Sequence, residues 1–364
     1  MRSIRISITM IVFALIFIGI LMIYSASGIY ALEELGDSLY YLKRHVVFVL
    51  VGIMAALAVM AVDYRDLQRW AKPLLLFNVL LLVLVLLPGL GRSGGGAQRW
   101  FHIGPLYFQP TELMKITMII YTADFLSRKQ NRVMHIRDVF APAMIVLGVV
   151  SGLIIKQPDL GSVVLIGLVV LIMLFVAGVR WQHFSLLAAL FLPMFYFFVY
   201  RVPYRWLRIV TFVDPWKDPT GAGFQLTQSQ IAFGSGGLVG VGLGQSVQKL
   251  FYLPAAHTDF ILSIIGEEFG FIGAFFVILL FIMLIWQGAR IAKRTQDPFG
   301  YFLSLGIVAM LGIQAVVNIG VTIGALPTKG LPLPFISYGG SALVTNMMMV
   351  GLLLNVSRIS DIEV

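Results

Sequence analysis

The chain has no cysteine and only five histidines among its 364 residues. The first absence excludes disulfides, iron–sulfur clusters and thiol nucleophiles together, and histidines so few and scattered argue against a zinc site. Charge is scarce too. Asp, Glu, Lys and Arg make up 12% of the chain, against about 25% in an ordinary soluble domain. With 59% hydrophobic residues and a mean hydropathy of +0.93, a soluble globular domain and a disordered chain are both excluded.

What the sequence has instead is a series of apolar runs, each long enough for a bilayer, which takes roughly 17 to 25 helical residues. Short breaks bearing Gly, Pro and charge separate them. The pattern predicts an all-α polytopic membrane protein with about ten transmembrane helices, over residues 8–28, 45–62, 73–88, 113–127, 140–156, 162–178, 184–200, 260–287, 301–322 and 341–356. Leu113 to Leu126 is the weakest run, being short and carrying Lys115 and Asp124.

Charge placement arbitrates. With ten spans and a cytoplasmic N-terminus, the inner segments hold about fourteen Lys and Arg, from Arg2 and Arg5 to Arg358. The short outer loops hold about six: Lys43, Arg44, Arg92, Arg99, Lys156 and Lys329. Deleting the fourth span would put Arg128, Lys129, Arg132 and Arg137 outside, so it is kept, and both termini are cytoplasmic. The net charge of +9 then has its ordinary source in cytoplasmic loops, and no nucleic-acid partner is expected. Arg2 and Arg5 followed by an apolar run also fit a signal peptide cleaved near Ser25-Ala26-Ser27. The run exceeds the usual h-region of about 7 to 15 residues, which favours an uncleaved first helix.

One long extracytoplasmic loop, residues 201–258, joins helices seven and eight. No repeat divides the chain, so residues 1–364 read as a single membrane domain.

The candidate site residues lie in or near the outer segments. Asp259, in Leu253-Pro254-Ala255-Ala256-His257-Thr258-Asp259-Phe260, is the last polar residue before an apolar helix. Thr258 or Asp259 can cap that helix; equally, a partly desolvated carboxylate at its mouth, flanked by His257, can act as a base. Arg201, Arg205 and Arg208 share one face if their segment is helical, suiting either anionic lipid headgroups or a cradle for pyrophosphate.

A third group is Gly96-Ala97-Gln98-Arg99-Trp100 with Phe108-Gln109-Pro110-Thr111-Glu112-Leu113-Met114-Lys115. Thr111 reads as an N-cap, and Glu112 with Lys115 as a local i, i+3 pair. An ionisable group inside a membrane helix is also a functional candidate in its own right. The same two readings apply to Lys156 and Asp159 in the turn Gln157-Pro158-Asp159-Leu160-Gly161. The stretch from Gly234 to Gly244 lacks the Gly-Lys-Ser/Thr of a nucleotide loop and reads as backbone able to fold close to the membrane surface or a ligand. The three-proline stretch from Leu326 to Ser341 reads as a re-entrant loop.

Together these motifs resemble the SEDS family (shape, elongation, division and sporulation), the lipid II polymerases of the bacterial cell wall. The resemblance runs from Tyr24-Ser25-Ala26-Ser27 to Ser337-Tyr338-Gly339-Gly340-Ser341. Gly242-Leu243-Gly244-Gln245-Ser246-Val247-Gln248-Lys249 and Pro327-Thr328-Lys329-Gly330-Leu331-Pro332-Leu333-Pro334-Phe335 resemble the FtsW and SpoVE branch. Gly96-Ala97-Gln98-Arg99-Trp100 is closer to the elongation branch, RodA.

The resemblance implies a peptidoglycan glycosyltransferase of the bacterial cell (inner) membrane, with Asp259 as the essential carboxylate. Members often carry Glu where this chain has Ala255, which leaves Asp259 as the main acid. It further implies that Lys115, Arg99, Arg205 and Arg208 stabilise a departing undecaprenyl pyrophosphate, with Glu112 orienting Lys115. Asp159, His257, Thr258, Lys329 and Ser337 complete the expected substrate-binding set. No resident metal is expected, although Mg or Mn could assist at Asp159, or at Glu267 and Glu268 given further ligands. The implied partners are lipid II, a class B penicillin-binding protein acting as transpeptidase, and other divisome or elongasome membrane proteins. A lipid II flippase and a membrane scaffold remain as alternative readings.

Overall fold

The computed structural model describes residues 1–94, 97–103, 106–130 and 136–362, and among these the side chains of Arg205 and Arg208 lie outside the described set. So do Arg132, Gly95, Gly96, Gly104 and Pro105.

The apolar runs form helices α1 (Arg2–Leu35), α2 (Tyr40–Ala61), α3 (Tyr64–Leu84), α4 (Pro110–Arg128), α5 (Ala141–Lys156), α6 (Leu160–Val176) and α7 (Trp181–Phe195). After the long segment come α10 (Ile261–Arg294), α11 (Pro298–Thr322) and α12 (Gly340–Ile362). Among the described residues, seven helical stretches are long and apolar enough to cross a membrane: α1, α2, α3, Ile136–Lys156, α10, α11 and α12. At 17 residues, α6 is apolar but short.

Polarity shapes α4. Its Glu112, Lys115 and Asp124 are buried, and the lipid-free centre it occupies lies against α3, α6 and α11. Thr111 is helical rather than a cap, since the helix begins at Pro110 with Gln109 before it.

Three features depart from the sequence reading. Residues 201–258, read as a loop, contain two helices, α8 (Pro203–Val213) and α9 (Phe224–Gly236). No strand was expected, yet β1 (Arg92–Gly94), β2 (Ala97–Ile103) and β3 (Leu106–Phe108) form an antiparallel sheet between α3 and α4, pairing Phe101 with Phe108 and His102 with Tyr107. Arg201, read on the same helical face as Arg205 and Arg208, precedes α8 and stacks on Tyr196 at 5.5 Å.

The Gly-rich stretch has a specific partner. At Gly270 (φ 69°, ψ −164°) α10 breaks, and residues 237–242 take up the interrupted hydrogen bonds. Phe271 N and Ile272 N donate to Gly237 O and Leu238 O at 2.9 and 3.1 Å, while Val241 N and Gly242 N donate to Glu267 O and Glu268 O at 3.0 Å each. Four backbone groups of α10 at the break are thus paired with this segment. Gly240 (φ 84°) is obligatory: a Cβ there would overlap the Glu268 carbonyl.

Residues 323–339 form the irregular segment expected from its prolines. Leu331, Leu333, Phe335 and Ile336 are buried, and Gly19 in the middle of α1 lets Phe335 O approach to 2.7 Å from where a Cβ would stand. From α11, Gln314 Nε2 donates to Pro332 O at 3.1 Å and Asn318 Nδ2 to Leu331 O at 2.7 Å. Irregular backbone at membrane depth is stable when protein satisfies it in this way.

Candidate active site

A cavity of about 620 Å³ opens where four helices begin. Glu112 comes from the first turn of α4, Asp159 from the N-cap of α6, Thr258 and Asp259 from the turn before α10, and Ser341 and Ala342 from the first turn of α12. The β-sheet adds Arg99, Trp100 and Tyr107, and the irregular segment adds Gly330, Leu331, Pro332 and Tyr338. Each helix N-terminus carries the positive end of the helix dipole, so four of them around one cavity favour an anion.

Asp259 is positioned by its backbone. Ala255, with φ 60°, accepts through its carbonyl from Thr258 N at 3.0 Å and Thr258 Oγ1 at 3.1 Å. Helix α10 then starts at Ile261 with Phe260 at its N-cap and no side-chain cap there. Neither Thr258 nor Asp259 occupies the cap position. The Asp259 carboxylate lies against the Gly330 backbone, with Oδ2 2.9 Å from where a Gly330 Cβ would be, and the Asp259 carbonyl accepts from Asn318 Nδ2 at 2.8 Å.

Asp159 does cap its helix, accepting from Ser162 N at 3.2 Å and Ser162 Oγ at 2.7 Å. Arg99 donates through Nε to Gln157 O and through Nη2 to Pro158 O, each at 2.6 Å, which fastens the sheet to the α5–α6 turn. Lys329 runs across that same turn, its Cε over Gly161 in space only a glycine leaves open.

Lys115 and Glu112 form an ion pair at 2.6 Å, with Lys115 wholly buried. Glu112 lies on the cavity wall and Lys115 behind it, the reverse of the arrangement in which Glu112 orients a substrate-facing Lys115. His257 packs against Tyr41 at 4.5 Å, Tyr30 at 5.8 Å and Tyr338 at 5.9 Å between ring centroids. Burial there lowers its pKa to about 4, so it is neutral at physiological pH. It supports the wall through its carbonyl, which accepts from Tyr338 N at 3.0 Å. Ser337 turns inward and accepts from Leu333 N at 2.9 Å.

Glu267 and Glu268 are committed elsewhere. Glu267 accepts from Ser246 Oγ and Val247 N, and Glu268 from Lys249 Nζ at 2.8 Å and Ser25 Oγ at 2.6 Å. Lys249 is therefore a buried structural cation. Among the described residues no three His, Cys, Asp or Glu side chains gather as a group able to hold a metal ion, and of these two glutamates only Glu268 Oε2 is buried without a hydrogen-bond partner.

Four participants escaped the sequence reading: Gln157, Asn318, Tyr338 and Ser341. Gln157 and Asn318 are buried amides, and an amide in an apolar run was the signal for Asn318. Ser341 links the sheet to α12, accepting from Gln109 N and donating to Tyr107 O at 3.1 Å each.

The chain matches the family described as cell cycle protein, FTSW_RODA_SPOVE, over residues 5–362. It belongs to that family. A relative from Geobacter metallireducens, named probable peptidoglycan glycosyltransferase FtsW, is 48% identical over 344 residues, 94% of this chain and 92% of the relative. Stage V sporulation protein E of Bacillus subtilis is 45% identical over 354 residues, 97% of this chain and 96% of its own. In these relatives the FtsW and SpoVE branch of the family is the one represented. The fold is similar to a chain in a solved peptidoglycan synthase complex described as coordinating polymerization and crosslinking. There the TM-score is 0.79 and the identity 30%, covering 97% of each chain.

Proposed function

We propose that this FtsW/SpoVE-type protein is a peptidoglycan glycosyltransferase that polymerises lipid II at the bacterial cell membrane during division or a related wall-synthesis process. The observation that carries this reading is the convergence of four helix N-termini on a cavity walled by Asp259. Such a site suits a donor whose leaving group is a pyrophosphate.

Asp259 accepts the proton of the 4-hydroxyl on the acceptor's GlcNAc. That oxygen forms the new bond to the anomeric carbon of the donor MurNAc with inversion, and the bond from that carbon to the pyrophosphate oxygen breaks. A sugar leaving group would need a second carboxyl as acid. Undecaprenyl pyrophosphate leaves as a stable anion and needs positive charge instead, supplied by the helix N-termini with Arg99 and Lys329 and, from α8, Arg205 and Arg208. Lys115 contributes through Glu112. Thr258 and Asp159 contact substrate from the wall, while His257 and Ser337 hold the wall in place. Mg or Mn, were one to assist, would be held at Asp159 and would supply positive charge for the departing pyrophosphate; no step depends on it.

The chain acts as one membrane domain of ten spans with both termini cytoplasmic and the cavity on the outer side. The continuous family match over residues 5–362 supports that division. Its partner is a class B penicillin-binding protein that crosslinks the strands.

The test uses the purified full chain with its transpeptidase partner and lipid II. Asp259→Asn should abolish glycan strands and leave the thermal unfolding transition unchanged. Polymerisation by the variant would remove Asp259 from the base role, and no polymer from the wild type with its partner present would favour lipid transport.

A further inference from the structure

At the membrane end opposite the catalytic cavity, a groove of about 340 Å³ lies between α1, α2 and α12. Its apolar wall is Ile6, Met10, Met60 and Leu354, and its rim carries Arg5, Thr9 and Arg358. Ile6 and Met10 are 49% and 60% exposed. Apolar exposure is ordinary on a lipid-facing helix, and so is arginine at its cytoplasmic end; here two guanidinium groups border a single concave groove.

The groove is held open by the contacts that join its walls. Gly351 of α12 meets α2 so closely that a Cβ would stand 2.8 Å from Ala56 O. One turn on, Asn355 Nδ2 donates to the carbonyls of Met60 and Val62 at 2.9 and 2.6 Å, at the end of α2. Arg5 of α1 donates to Ser357 O at 3.0 Å and pairs with Asp361 at 3.0 Å. The three helices are therefore pinned around the groove, and its shape does not depend on an occupant. Asp361 compensates Arg5. Arg358 is exposed and has no ion pair among the described residues, so the rim keeps an uncompensated cation.

We propose that this groove binds an anionic phospholipid, its phosphate at Arg358, Arg5 and Thr9 and an acyl chain along Ile6, Met10, Met60 and Leu354. Charge complementarity selects the headgroup: guanidinium donors suit phosphate oxygens, and a basic cluster at a membrane surface attracts anionic lipid. The apolar wall selects a lipid over a soluble phosphate, because a chain laid there covers side chains that otherwise face the bilayer edge. The inference is independent of the catalytic reading, since none of these residues lines the catalytic cavity.

Full-length delipidated protein would be titrated with phosphatidylglycerol and with phosphatidylethanolamine of the same chains, counting bound lipid by native mass spectrometry. Wild type should bind phosphatidylglycerol more tightly. Arg358→Gln should weaken that binding about fivefold, as expected for one basic residue at a membrane surface, and weaken phosphatidylethanolamine, whose ammonium offsets its phosphate, by less. Arg180→Gln, which removes an exposed arginine outside the groove, should change neither. Met10→Trp, which fills the apolar wall and keeps the charges, should weaken both lipids. The proposal is overturned by equal binding of the two lipids to wild type, by an unaffected Arg358→Gln or Met10→Trp, or by an equal loss in Arg180→Gln, which would indicate bulk charge rather than a site.

Discussion

The side-chain amide of Asn318 donates to the backbone carbonyl of Asp259 at 2.8 Å, and the same nitrogen reaches Leu331 O at 2.7 Å. One buried residue near the C-terminal end of α11 thereby joins the turn that presents the carboxylate to the irregular segment packed against it.

Asn318→Leu should remove both bonds while keeping the volume and the helix. Two buried carbonyls would lose their donor, costing about 1–3 kcal/mol each, and a displacement near 1 Å at a catalytic group can cost about a hundredfold in rate. Polymerisation should fall toward that level with the protein still folded. Near-normal rates from a folded variant would show that Asp259 does not need this tether.

Gly330→Ala tests the contact from the other side. The new Cβ would stand 2.9 Å from Asp259 Oδ2, so either the carboxylate or the segment must move. A loss of about tenfold or more in turnover is expected, with thermal stability close to wild type. Initial rates of strand formation at saturating lipid II are the measurement.

The Lys115–Glu112 pair predicts a non-additive stability cycle. Removing one partner of a buried pair leaves a charge uncompensated and costs about 3–5 kcal/mol. Lys115→Met and Glu112→Gln should each lower the unfolding midpoint more than the double variant does. Equal or additive losses would mean that the two charges are solvated independently.

The hydrogen-bond splice between residues 237–242 and α10 should fail when a side chain is added. Gly240→Ala would place a Cβ against the Glu268 carbonyl at φ 84°, with a conformational penalty of roughly 1–3 kcal/mol before the overlap is counted. Hydrogen exchange at Val241, Gly242, Phe271 and Ile272 should rise together, because their four bonds form one unit.

His257 links stability to pH. An unfolded histidine titrates near 6.5, whereas the folded one titrates at about 4 because burial disfavours its charge. Between those values the unfolded chain binds more protons, so stability increases with pH across the window. The His257 contribution is complete above about 6.5 and declines as the pH falls toward 4. Thermal midpoints measured from pH 7.5 down to 4.5 should drop more for wild type than for His257→Phe, which keeps the ring among Tyr30, Tyr41 and Tyr338. Parallel curves would exclude this residue as a source of acid sensitivity.

Much of this site could be read before the fold. Asp259, Glu112, Asp159, Arg99 and Thr258 are polar residues at the edges of apolar runs, where desolvation makes polarity conspicuous, and all five line the cavity. Lys115 was visible for the same reason, but which of the pair lines the cavity depends on how α4 is rotated against α6 and α11. Lys249 and Glu268 are 19 positions apart and found each other only through the splice at Gly270. The small sheet was missed because its strands are three to seven residues long and lie in a glycine-rich connection without clear alternation.

Hydropathy belongs to each segment separately, so the sequence by itself determined a multi-helix membrane protein, its candidate carboxylate and the irregular segment near its C-terminal helix. The cavity belongs to no segment. Four helix N-termini meet there because Gly19, Gly161 and Gly330 admit close approach, and because the buried amide of Asn318 satisfies carbonyls from two other elements. Those contacts join residues far apart in the chain, and only tertiary packing could decide which of the scarce charges line the cavity and which hold the scaffold.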